Sequence, residues 1–476
     1  MSRKKYSQKK RKNRRPTRYE ALKYEAVEQT PTRPRIYYST RSEDKELNPR
    51  QRQTLLSEAR DQLRNFSLAG FALRKHLQFV SYYRFSAHTE NQEFNLALEN
   101  RVKTWSRRQN CDAAQRRSLD ELLTIIESHR AVDGDVGILR RDDCRLSIIE
   151  GDRIRDPDQL KETDDWVNGV KLDRDGRAVG YAVHRRKKDG GFEFDRVVNA
   201  ANFDLLTYVS RADQVRGVSL LAPAVKMISY LYRGIDYALA KLKLEQMLGL
   251  KTTFEDGGNF RTPTPEGESF DDAASIAAKT RETFGDDLMH LALKVGEDAQ
   301  FMESNNPSQN FQAFVESVVR MVFAALDVPY SFYDGSKTNF YGSKGEFEQY
   351  LDTVEKKQQP TIAMLDDWIF DWLLPNWLAD PKDPLAQYLS YASDLESLRS
   401  QCGWRGSGFP SWRLFEYVKE IQLAVASGMA SPYAVAEAFG EDVERNIAEM
   451  AKLKQLAASV GVSVPFGNET ATNVGL

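Results

Sequence analysis

The sequence predicts an α+β fold on three observations. Apolar residues recur at helical spacing in both the first and the last quarter of the chain. Between them, residues of about 135 to 209 break into short β-rich runs separated by Asp-Gly and Gly-Gly pairs. Two long amphipathic helical patterns then bracket a compact insert of mixed character.

The helices come first. In RQTLLSEARDQLRNFSLAGFALRKHLQFV, Leu55, Leu56, Leu63, Phe66 and Leu68 share one face, with Arg and Glu on the other. NQEFNLALENRVKTWSRR and DAAQRRSLDELLTIIESHRAV repeat the pattern, the second through Leu119, Leu122, Leu123, Ile125 and Ile126. The β-rich run contains GDVGILRR, CRLSIIEGDRI, WVNGVKLDRDGRAVGYAVHRR, GFEFDRVVN and FDLLTYVS. Its DRDG and KKDGG turns permit positive φ, so an antiparallel sheet is expected.

A helix start follows at Gly217, Ser219 and Pro223. Gly217 can adopt a backbone conformation closed to other residues, Ser219 can cap, and Pro223 in the first turn loses nothing by lacking an N–H. From residue 219 to 250 an apolar stripe runs through Leu221, Ala224, Ile228, Leu231, Ile235 and Leu242, for about 48 Å at 1.5 Å per residue. A small domain cannot cover that length alone. A second stripe, over 306–327, carries Phe311, Phe314, Val315, Val318, Val319 and Val322, and residues 251–305 lie between the two. After a loop rich in Gly, Ser and aromatics at 328–344, a helical run to about Trp377 is expected to bend or break at Pro360. Residues 345–410 and 411–476 complete the chain, the latter largely helical.

Charge is unevenly placed. Residues 1–18 hold ten of the 67 Lys and Arg and no acid, so the rest of the chain has 57 basic against 69 acidic side chains. Such an arm, with its connector to residue 49, is expected to be disordered until it meets a polyanion. Its Arg3, Lys4, Lys5, Lys9, Lys10, Arg11, Lys12, Arg14 and Arg15 are candidate nucleic-acid contacts. Apolar runs are too short or interrupted to span a bilayer and the N-terminus has no signal-peptide core, so a soluble, intracellular body without membrane contact is expected. Cys111, Cys144 and Cys402 are odd in number and far apart, which points to buried thiols in a reducing compartment rather than disulfides or zinc.

Catalytic patterns are weak. DGSKT at 334–338 lacks the Gly that a phosphate-cradling loop needs five residues before its Gly-Lys pair. His76, His88, His129, His184 and His290 show no metal-ligand spacing and are expected on helix surfaces or sheet edges. The aromatics of DDWIFDWLLPNWL are expected to pack a core. Asp133, Asp135, Asp142, Asp143, Glu150 and Asp152 could gather a divalent ion, which supports an alternative reading as a metal-dependent nuclease with a basic DNA-gripping arm. Their placement at hairpin tips and flanks points instead to turns and solubility. No enzyme activity, metal or cofactor is therefore expected.

With its motifs in order, the chain resembles the lambda-type portal proteins of tailed bacteriophages. The resemblance rests on EARDQLRNFSLAGFAL (58–73), GDVGILRR with LSIIEGDRI, ADQVRGVSLLAPAVKMI, VFAALDVPYSFYDGSKTNFYGSKGEFEQY and the tail WRLFEYVKEIQLAVASGMASPYAVAEAFGEDVERNIAEM. Its most distinctive part is the run containing Gln214, Arg216, Gly217, Ser219 and Pro223. It implies a dodecameric ring at one capsid vertex, through which a terminase large subunit packages double-stranded DNA that later leaves by the same channel. The implied partners are further copies of the chain, the DNA, the terminase, the major capsid protein and scaffold, and head-tail connectors. Assembly would occur in the host cytoplasm and the final location would be the virion. The portal fold it implies has a wing (50–218), stem helices (219–250 and 306–327), a clip (251–305), a tunnel loop (328–344), a tunnel and wing helical region (345–410) and a crown (411–476). Lys337, Tyr341 and Lys344 would meet DNA from the tunnel loop. The basic arm departs from the family pattern.

Overall fold

Helix α1 (Pro49–Asn65) starts where local chemistry dictates: the Asn48 side chain accepts from the Gln51 N–H, the Gln51 side chain answers the Asn48 N–H, and Pro49 occupies the first turn. It and its successors belong to a computed structural model that describes residues 42–157, 165–247, 309–337, 339–406, 414–438 and 443–461. Then come α2 (Ser67–Val80), β1 (Tyr83–Ala87), α3 (Gln92–Trp105) and α4 (Leu119–Asp133). A reciprocal Ser118–Glu121 cap opens α4.

Among its described residues the β-rich run forms seven strands: β2 (Asp135–Arg140), β3 (Leu146–Glu150), β4 (Trp166–Val167), β5 (Val170–Leu172), β6 (Ala178–Arg186), β7 (Phe192–Asn199) and β8 (Phe203–Thr207). All pairings are antiparallel. They divide into two sheets, β3-β2-β8 and β4-β5-β6-β7, where one was expected. Ile149, Ile154, Tyr181, Val183 and Phe203 fill the space between them, and an Ile154–Val183 bridge joins their backbones. A third pairing, β1 with β9 (Cys402–Gly406), links segments more than 300 residues apart and has no local signal.

Helices α5 (Ala222–Met247) and α6 (Gln309–Ala325) pack on one another at their roots. The insert between them, 251–305, lies outside the described residues. Helix α7 (Phe340–Asp367) runs through Pro360 without a break, where a bend or a break was expected. The disturbance comes later, as a π-helical turn at Trp368–Leu373 before α8 (Leu374–Ala379). Proline removes the N–H that would answer the Lys356 carbonyl, and Lys356 and Pro360 are both exposed, so solvent can take that bond. After α9 (Leu395–Gln401) and β9, the chain ends in α10 (Leu414–Ala426), α11 (Pro432–Ala438) and α12 (Val443–Val460).

Two larger cores hold these elements. One joins α3, α4 and β2 to Trp368, Phe370, Leu373 and Trp377, so the tryptophan-rich run is core as predicted. The other joins α1, α2 and α7 to the roots of α5 and α6 through Leu221, Val225, Ile228, Val318, Val322 and Phe323. Each such side chain contributes roughly 1.5–3 kcal/mol. The expectation for histidine fails at His76 and His184, which are buried, because His76 lies on the inner face of α2 and His184 on β6, an inner strand paired on both edges. Cys111 and Cys402 are buried and Cys144 is half-buried, all as free thiols. Among the described residues no helix is long and apolar enough to cross a membrane.

Candidate functional site

Two features stand out: the junction that launches α5, and a length of α5 and α6 beyond the core that is exposed or half-buried among the described residues. The junction is built around Asp135, the first residue of β2 and fully buried. Arg216 grips it with two parallel bonds, Nε to Oδ2 at 2.7 Å and Nη2 to Oδ1 at 2.9 Å. Arg52 of α1 adds Nη2 to Oδ2 at 2.6 Å, and the Gly217 N–H a further 3.1 Å bond. The remaining Arg216 donors reach the carbonyls of Gly151 (2.8 Å), Ile154 (2.9 Å) and Asn168. A guanidinium buried this completely is stable only with its fork satisfied. Burial works to raise the Asp135 carboxyl, but the Arg216 and Arg52 charges outweigh it and hold the group below the ordinary carboxylate range.

The neighbours of Arg216 serve the same junction. Asp44 accepts from the Val215 and Arg216 N–H groups, and the Gln214 side chain bridges the Ser210 N–H and the Arg216 carbonyl. Ser219 Oγ accepts from the Leu221 N–H at 3.2 Å, and Pro223 is the second residue of α5.

Gly217 is required for a different reason from the one the sequence suggested. Its φ is not positive; the left-handed glycine is Gly134, at φ +91°. A Cβ on Gly217 would stand 1.8 Å from the Gly134 carbonyl oxygen. What this position demands is space between two backbones.

Four of the acids behind the nuclease alternative are held by arginines, while Asp142 and Asp143 are exposed at the turn between β2 and β3 as expected. Arg60 holds Asp133 at 2.6 Å and Asp152 at 2.9 Å, while Arg186 holds Glu150 at 2.6 Å and Asp152 at 2.7 Å. Asp133 also accepts from His129 at 2.8 Å. Asp133 and Asp135 are buried, not at solvated turns as expected, because each anchors a guanidinium from α1. Among the described residues no group of His, Cys, Asp and Glu is arranged to hold a metal. Sequence reasoning missed Arg52 and Asp44, whose partners lie 83 and 171 residues away.

The second feature begins where the core stops. Ala224, Val225, Ile228 and Leu231 of α5 are buried, as are Val318, Val319, Val322 and Phe323 of α6. Beyond them α5 continues from Tyr232 to Met247, about 24 Å, with no buried side chain among those described. In residues 311–317 of α6 none is buried: Phe311, Val315 and Glu316 are half-buried and the rest exposed. Tyr237 is 74% exposed and Leu239 53%, and an open groove of about 560 Å³ runs between the helices beside Tyr230, Gly234, Tyr237, Phe311 and Phe314.

The model of one family, described as phage portal protein, lambda family, matches residues 34–358. The chain belongs to that family. No curated protein matches it. Solved structures similar to this portal chain include the neck of a native gene transfer agent particle computed with C12 symmetry, at 14% identity over 81% of this chain and 93% of that one, with a TM-score of 0.45. The neck of the empty particle computed with C6 symmetry gives 14%, 81%, 94% and 0.47, and the virion of the native particle 15%, 82%, 98% and 0.45.

In the portal chain, Lys337 closes a 3-10 turn at Gly335–Lys337, whereas Tyr341 and Lys344 lie in the first turns of α7. Lys344 is exposed and 3.5 Å from Glu348. The arm residues Arg3, Lys4, Lys5, Lys9, Lys10, Arg11, Lys12, Arg14 and Arg15 fall outside the described residues.

Proposed function

We propose that this phage portal protein assembles as a ring of twelve copies at one capsid vertex, with α5 and α6 as a stem sealed by neighbouring subunits. The observation that carries the reading is the bare length of the helix pair. An amphipathic helix whose apolar stripe outruns its own core needs a second surface, and in a closed ring the flank of the next copy supplies it. Residues 251–305, between the stem helices, form the clip that docks the terminase large subunit and then head-tail connectors. The wing faces the major capsid protein and scaffold, residues 411–476 form the crown, and the 328–344 segment borders a channel for double-stranded DNA. There Lys337, Tyr341 and Lys344 touch passing phosphates. Because phosphate contacts add strong, salt-dependent affinity, a conduit works best with few of them, and the excess of acid over base outside residues 1–18 suits that.

Mass photometry tests the ring. Twelve chains of 54.3 kDa give a particle of about 650 kDa. Introducing Tyr237→Glu with Leu239→Glu places charge on the exposed flank and is expected to cut the ring fraction at least about tenfold, with helix content unchanged. A wild-type chain that stays monomeric under all conditions defeats the proposal.

The arm is tested separately. Removing residues 1–18 is expected to weaken DNA binding at low salt and to flatten its salt dependence by roughly 0.9 in log–log slope per lost phosphate contact, with ring mass unaltered. Unchanged affinity removes the arm from the account.

A further inference from the structure

We infer that His76 and Glu127 anchor a proton-sensitive clasp in which Arg130 and Lys357 tie α4 to α7 and α7 to the end of α6, and that acid loosens it. The clasp lies in the second core, away from the Asp135 junction, and does not depend on ring formation.

Five elements meet there. His76 of α2 is fully buried, with Nε2 2.8 Å from Glu127 Oε1 of α4. The same oxygen accepts from the Tyr208 hydroxyl, just after β8, at 2.7 Å. Arg130 of α4 lies over the Tyr208 ring at 3.9 Å, donates to Glu127 Oε2 at 3.3 Å, and reaches the Lys357 carbonyl of α7. Lys357 then closes the chain of contacts: its Nζ donates to the Leu326 carbonyl at 2.7 Å and meets Asp327 Oδ2 at 3.0 Å. Those two residues directly follow the last residue of α6, where Asp327 turns left-handed at φ 55° and the Val328 N–H returns to the Phe323 carbonyl. A cation at a helix C-terminus satisfies carbonyls that the helix itself cannot.

An ionised carboxylate only accepts, so the proton of a neutral His76 sits on Nε2. Nδ1 is then a buried lone pair with no partner. A second proton would put an N–H at Nδ1, where no acceptor is in place, in the field of the Arg130 and Lys357 cations and with Glu127 already shared with Tyr208. Burial, above all, holds His76 below its ordinary value of 6.5; the Glu127 contact opposes this, and Lys357 and Arg130 add to it. For Glu127, burial raises the carboxyl, but His76, Arg130 and Tyr208 bring it below 4.5.

The sign follows from linkage. Above pH 6.5 the imidazole is neutral whether the clasp is closed or open. Below it the open form binds a proton that the closed form refuses, so the closed form loses stability as pH falls. Glu127 weakens the clasp only below 4.5, leaving the window from 6.5 to 4.5 to His76. What acid frees is the end of α6 and the stretch after it that leads to Lys337.

Exchange of the histidine C2 proton, followed by mass spectrometry on the full chain, reads the His76 titration directly. Amide exchange, corrected for intrinsic rates, reads opening of residues 318–333 and 350–361. The expected results are a His76 midpoint below 6.5 and opening that rises in both segments together by up to about tenfold between pH 7.5 and 5.5. His76→Gln keeps a donor near Nε2 but cannot titrate, and its opening is expected to be flat over that range. A midpoint at or above 6.5, segments that do not respond, or the same rise in His76→Gln overturns the inference. If that variant does not fold, the two wild-type measurements decide.

Discussion

Gly217→Val is expected to abolish folding or to cost at least about 3 kcal/mol, seen as loss of soluble yield or a large fall in the denaturant midpoint. Even alanine brings its Cβ to 1.8 Å from the Gly134 oxygen. That oxygen cannot retreat easily, because it accepts from the Tyr208 N–H at 2.9 Å beside the β2–β8 ladder. Gly134 cannot swing aside either: it holds φ +91°, and a Cβ there would meet Gly217 and Val218 backbone at 2.6 Å. Moving Gly217 instead breaks its N–H bond to Asp135 and its carbonyl bond to Arg52 Nη1. Both sides of the contact are backbone and both are tied, so the clash has no cheap relief. Wild-type yield and midpoint in Gly217→Val would refute this reading of the junction.

The same junction shows which parts of the protein a sequence can reveal. Features closed within a few residues were readable: the Asp-Gly pairs before β6 and before β7 place left-handed glycines at Gly176 and Gly190. The apolar stripes of α4, α5 and α6 marked the faces that are buried at their roots. Features closed over long distances were not. Nothing near Arg52 announces a buried charge; in its own helix it sits among polar residues, and its carboxylate partner lies 83 residues on. Asp135 carried the right residue type but pointed to solvent or metal, since the two arginines that neutralise it lie 83 residues before it and 81 after it. Gly217 was singled out for its type, with the wrong physics, because crowding by Gly134 is a tertiary fact. Pro360 illustrates the reverse failure: α7 stays unbroken there because the carbonyl that loses its donor, that of Lys356, lies on the exposed face of the helix, where solvent can answer it.

Arg216→Met is expected to cost about 3–5 kcal/mol, because it leaves Asp135 buried with one cation instead of two. Three carbonyls, those of Gly151, Ile154 and Asn168, lose their donor at the same time, and each buried acceptor left bare costs roughly 1–3 kcal/mol unless water enters. Arg216→Lys is expected to recover little, since one ammonium cannot reproduce a two-pronged grip on the carboxylate and three divergent bonds to backbone. A double-mutant cycle isolates the pair: Asp135→Asn in the Arg216→Met background should do less damage than Asp135→Asn alone, as the uncompensated charge has then been removed. The acid response also separates this junction from the clasp at His76. Asp135 is depressed in the folded chain, so its contribution is complete above the unfolded value of 3.8 and fades only as pH falls through the lower folded value. Between pH 7 and 5 the junction is therefore silent in the wild type, and a midpoint that shifts there belongs elsewhere. Strict additivity in the cycle would show that Arg216 and Asp135 act independently, and the account of the junction as a single buried ion cluster would fall.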